Sequence, residues 1–126
     1  MAHVSNCNSQ LTLNDDENVL SSHVTDETGC GSTRSPWVIA AMPGQTIELS
    51  IIDFGSEKFK MEANNTIENV VYGVIQDGTE RKSIHGSPER ERNIHKSQTD
   101  RLIIEITPAS QREEHNFLLR YKSNVI

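Results

Sequence analysis

The stretch 35-SPWVIAAMPGQTIELSIIDFG-55 decides the fold. Trp37, Ile39 and Ala41 alternate with Val38 and Ala40, and after Pro43-Gly44 the series resumes, with Ile47, Leu49 and Ile51 alternating with Thr46, Glu48 and Ser50. A repeat of two residues specifies strands with one buried face, because a helix would space its apolar positions three to four apart. Pro43 lacks an N–H and Gly44 tolerates positive φ, so Met42-Pro43-Gly44-Gln45 suits a tight connection. The spacing predicts an antiparallel hairpin across this turn.

Outward from that stretch the same pattern returns. "IENVVYGVIQDG" places Ile67, Val70, Tyr72, Val74 and Ile75 on a strand that stops at Asp77-Gly78, a strong turn signal. "RLIIEITP" and "NFLLRYKS" read as the last two strands, separated by "ASQREEH". Residues 1–35 are polar, with acidic clusters at Asp15-Asp16-Glu17 and Asp26-Glu27, and hold two short strands around Leu11/Leu13 and Val19/Leu20. "SEKFKMEANNT" is expected to be a loop or edge segment. Short strands at regular intervals give an all-β class, an antiparallel β-sandwich or barrel. Its expected core is Trp37, Ile39, Ile47, Leu49, Ile51, Val74, Ile104, Phe117 and Leu119.

Composition agrees. Ile and Val outnumber Leu by almost three to one, and β-branched side chains fit a pleated surface. The 126 residues suit one domain, 1–126, burying roughly 65% of the unfolded surface. A formal charge of −6 argues against nucleic-acid binding, which needs cations to displace counterions from phosphate. No apolar run approaches the ~20 residues of a membrane span. The first residues, "MAHVSNCNSQ", lack the apolar centre of a signal peptide, although a processed secreted chain would look the same.

Few residues offer chemistry. Cys7 and Cys30 could form a disulfide, stand as inert thiols, or supply one nucleophile, for which His23 is the nearest base. Their spacing fits no zinc pattern, and His85 and His95 read as surface histidines. No nucleotide or hydrolase motif occurs, so neither an enzyme nor a cofactor is expected. Asn64-Asn65-Thr66 is an N-glycosylation acceptor, which favours secretion and marks Asn64 as the modified residue. The segment Glu80 to Lys96, "ERKSIHGSPERERNIHK", reads as a long loop whose Arg81, Lys82, Arg90, Arg92 and Lys96 form a local positive patch. A solvated loop of mixed charge would read the same, but loops of that length are uncommon unless functional or disordered, which makes these five cations the candidate contacts to an acidic protein partner, with Arg90 and Arg92 foremost.

In order and spacing, these elements resemble the CUB domain. "WVIAAMPGQTIELSIIDF" is similar to that family's Trp-led strand, Pro-x-Gly-Gln turn and following strand; "NVLSS", "VYGVIQDG", "LIIEI" and "NFLLRY" resemble further steps. The resemblance implies a CUB-like jelly-roll sandwich serving protein recognition in a secreted or membrane-anchored parent, with a Cys7–Cys30 disulfide. The chain departs from the family in two ways. Ser35 and Glu68 stand where two of the four cysteines fall, leaving Glu68 and Arg90 as a possible ion pair in place of the second bridge. Val71 and a position near Ala109 replace the acidic ligands of a calcium site, so no metal is expected. A carbohydrate-binding sandwich is the alternative, with Trp37 and Tyr72 as its few candidate stacking residues, and a thiol enzyme using Cys30 and His23 comes third.

Overall fold

The computed structural model describes residues 8–10, 18–54, 70–87, 89–112 and 115–125. Nine strands and one short helix follow in the order β1 (Asn8–Gln10), β2 (Asn18–Ser21), α1 (Ser22–Thr28), β3 (Trp37–Ala40), β4 (Gln45–Asp53), β5 (Val71–Asp77), β6 (Glu80–His85), β7 (Glu91–Lys96), β8 (Arg101–Ile106) and β9 (Phe117–Val125). They form two sheets, of order β1-β3-β8-β5-β6 and β2-β9-β4-β7. Neighbouring strands pair antiparallel except β1, which runs parallel to β3. The chain is an antiparallel β-sandwich.

The connection at Met42 to Gln45 is a turn but not a hairpin. Gln45 N–H donates to the Met42 carbonyl at 3.0 Å, and Gly44 takes φ 86. Yet β3 pairs with β8 while β4 pairs with β7 and β9, so the chain crosses from one sheet to the other. The apolar sets of β3 and β4 then meet face to face across the core rather than side by side. Among the described strands, only β5 and β6 form a hairpin, turning at Gly78-Thr79 just after the predicted Asp77.

Strand β4 carries the pattern most plainly, its residues alternating buried and half-buried from Gln45 to Asp53. Ile39, Ile47, Leu49, Ile51, Ile104, Phe117 and Leu119 are all buried as expected. Trp37 is only partly buried, packed against the core. Val74 is a correction: a bulge between Val71 and Gly73 flips the strand's phase, so Tyr72, Ile75 and Asp77 face inward and Val74 does not. Gly73 permits the bulge, since a Cβ there would sit 2.4 Å from the Glu105 carbonyl oxygen.

Two further expectations change. The segment 80–96 is not one long loop: Glu80–His85 and Glu91–Lys96 are the edge strands β6 and β7, one in each sheet. Behind Val19/Leu20 the chain forms α1, where Ser21 Oγ accepts from His23 N–H and Gly29 closes the last turn with its N–H on Thr25 O at 2.9 Å.

Candidate functional site

Each end of the sandwich is closed by a buried polar cluster. At the end bearing α1, Asp53 on β4 accepts from the Tyr72 hydroxyl of β5 at 2.8 Å and from Ser87 N–H at 3.3 Å, joining the two sheets. Burial foremost, and then the bond to Asp53 and its charge, push the Tyr72 hydroxyl far above the ordinary phenol range. Tyr72 also stacks on Phe117, ring centres 4.8 Å apart. Beside them, in a short 3-10 turn at Ala109–Arg112, Arg112 is fully buried. Its Nε donates to His115 O at 2.9 Å, Nη1 to Thr107 O at 2.6 Å, and Nη2 to Asp26 Oδ2 at 2.6 Å. A guanidinium donates from three separate nitrogens in a fixed plane and so spans acceptors that an ammonium would have to reach from one atom.

At the opposite end Asp77 accepts from Thr99 Oγ1 at 2.7 Å and Gln98 N–H at 2.8 Å, and its Oδ2 lies 2.9 Å from His95 Nε2. Burial opposes the charged carboxylate, but the bonds from Thr99, Gln98 and His95 outweigh it and hold Asp77 below the usual carboxylate range. His95, expected at the surface, is therefore a structural partner with a side chain only 7% exposed.

The five predicted contact cations separate into two groups. Lys82 and Arg92 point to the open side of the sandwich, where the two edge strands face each other. Lys82 Nζ donates to Ile94 O at 2.6 Å, and Arg92 donates to His85 O and Glu89 O and lies 3.8 Å from Asp53. The Ile94 carbonyl belongs to a residue that a second bulge leaves unmatched, between the pairs Leu49↔His95 and Ser50↔Asn93. Each edge strand thus sends a cation to a carbonyl of the other. Arg92 is half-buried, while Lys82, Arg81, Arg90 and Lys96 are exposed. Arg81 pairs with Glu105 at 3.3 Å on the outer face, Arg90 lies 5.6 Å over the ring of exposed Phe54, and Lys96 sits opposite Glu48 in the β4–β7 register.

Other sequence candidates are dispersed. Cys30 is buried and no described cysteine is free; Cys7 lies outside the described residues, as do Asn64 and Glu68, so neither the glycan site nor a Glu68–Arg90 pair has a described geometry. His23 is exposed and bonded to Glu27 at 2.7 Å on α1. Val71 lies on β5 and Ala109 opens the 3-10 turn whose last residue is Arg112. No group of three or more metal-ligating side chains occurs among the described residues. Tyr72 and Tyr121 are buried, so the described aromatics give sugar rings no tyrosine platform. No described helix is long and apolar enough to cross a membrane.

Sequence reasoning missed Arg112, Asp53 and Asp77. Only for Asp77 was a local signal available, the Asp-Gly turn. Arg112 sits in a polar run and meets Asp26 from 86 residues away.

Comparison with known proteins adds one finding. No family model and no curated protein matches the chain. Among solved structures, it is similar to the full extracellular region of zebrafish Gpr126/Adgrg6, at TM-score 0.56 and 15% identity. The match covers 97% of this chain and spans 15% of that one, and at this identity it establishes a shared fold.

Proposed function

We propose that this chain is an extracellular protein-recognition module, a CUB-type domain of a larger secreted or membrane-anchored protein, acting without catalysis, cofactor or calcium. The observation that carries the reading is the fold likeness along 97% of the chain to a small part of another protein's extracellular region. The order of the strand motifs supports it, from "WVIAAMPGQTIELSIIDF" to "NFLLRY". So does the charge distribution. In a chain of net charge −6, the segment 80–96 holds five Lys and Arg against three Glu, and Lys82, Arg90 and Lys96 remain exposed to meet an acidic partner.

The Cys7–Cys30 bridge belongs to this proposal, as does a glycan on Asn64. Asn8 lies opposite Val38, and Gly31, the neighbour of Cys30, packs on Trp37. The start of β1 and the Cys30 loop therefore lie at the same end of β3. Closing the 24-residue loop would restrain the unfolded chain by about 3 kcal/mol in the entropy model.

The test is to present the whole chain, multimerised, to an array of cell-surface and secreted ectodomains in chelator. Saturable binding to one or a few is expected, weakened by Arg90→Glu and by salt. Absence of saturable binding to any ectodomain refutes the role.

A further inference from the structure

We propose that the cleft between β6 and β7 is a docking site for an extended acidic segment of a protein partner. This rests on the recognition role above and names the chemistry of its partner. Both strands are sheet edges, each leaving one side of its main chain outside a ladder, the kind of surface to which an added strand pairs. Between them lies a cavity of about 270 Å³. Ile75, Ile84 and Ile94 give it an apolar floor, while Lys82 and Arg92 supply the charge. No Asp or Glu is among its described lining residues, in a chain where acids outnumber bases 18 to 12.

The charge there is also incompletely answered. Lys82 has no carboxylate partner among the described residues, only the Ile94 carbonyl, which leaves ammonium protons available. A carboxylate entering the cleft would meet Lys82 in partly apolar surroundings, where a charge-assisted bond is stronger than in water. Alternation in an extended segment fits the rest, with apolar side chains on the isoleucine floor and acidic ones on the cations. Arg81 shares β6 but points to the outer face, where Glu105 already holds it.

The whole ¹⁵N-labelled chain is titrated with the capped peptide Val-Glu-Val-Glu-Val, and in parallel with the same peptide carrying Lys for Glu. The acidic peptide should shift the amides of residues 82–86 and 92–94, weaken with salt, and bind about tenfold less tightly to Lys82→Gln, which keeps a donor for Ile94 O. Arg81→Met should leave that affinity unchanged. Equal binding of both peptides, shifts centred elsewhere, or no shifts at millimolar peptide overturns the proposal. An ectodomain partner that binds Lys82→Gln as tightly as wild type also overturns the cleft while leaving the recognition role intact. Peptide shifts in the cleft with no ectodomain partner on the array sink the role instead.

Discussion

Replacing Arg112 with Met tests whether the buried guanidinium holds the α1 end of the sandwich together. Methionine keeps much of the stem that lies under the guanidinium, which itself sits 5.8 Å over the Phe117 ring, but leaves three acceptors, Thr107 O, His115 O and Asp26 Oδ2, without their donor. Removing one partner of a buried ion pair costs about 3–5 kcal/mol. Asp26 is 27% exposed, so water can partly resolvate its carboxylate, and the expected loss falls to the lower limit, about 3 kcal/mol. At ~2.1 cal/mol/K of unfolding entropy per residue, that is a drop of about 11 °C in Tm. Urea unfolding with a shared m-value measures it directly. Arg112→Lys, keeping the charge without the fork, should lose roughly half as much. In a double-mutant cycle with Asp26→Ala, the coupling should be about 1–2 kcal/mol. A loss under ~1 kcal/mol for Arg112→Met, with m unchanged, would refute the reasoning.

Three further predictions follow from named contacts. Asp77→Asn should cost about 1–3 kcal/mol at neutral pH. Because the folded pKa lies below the unfolded value of ~3.9, the wild-type advantage is complete above that value and disappears as pH falls through the lower folded pKa; a gap that persists unchanged in strong acid contradicts this. Gly73→Ala, forced against Glu105 O, should destabilise by about 1–3 kcal/mol in urea, and a neutral result would remove the bulge from the account. Leu49→Ala, at a site 1% exposed, should lose about 2–5 kcal/mol, and near-wild-type stability would show that the β4 register is wrong.

What the sequence made legible was what alternates. Strand β4 was readable because each inward position from Ile47 to Ile51 is aliphatic and each outward one is not. The turn at Pro43-Gly44 was readable too, but its i to i+3 bond is the same whether the chain pairs back or crosses to the facing sheet, so the sheet change was not. Strands β6 and β7 were hidden because their inward positions include Lys82 and Arg92: an open edge lets cations face inward and reach water, which erases the apolar repeat. Helix α1 carried signals that were overlooked, Ser21 ahead of it and Gly29 after it. Of the buried charges, only Asp77 carried a local signal, its Asp-Gly turn; Asp53 and Arg112 carried none. Arg112 in "ASQREEH" looks like any solvated arginine until the fold brings Asp26 and Thr107 to it.

The central claim, that β6 and β7 are sheet-edge strands whose shared cleft receives an acidic partner, is met most directly by amide hydrogen exchange on the whole chain. Exchange is followed alone and with an ectodomain partner from the array. In the free chain, the β5-paired amides of β6 and the β4-paired amides of β7 should exchange more slowly than those of the exposed Gly78-Thr79 turn, and the partner should add protection at 82–86 and 92–94. Uniformly fast exchange across 80–96 in the free chain, or partner-induced protection confined to other strands, contradicts it.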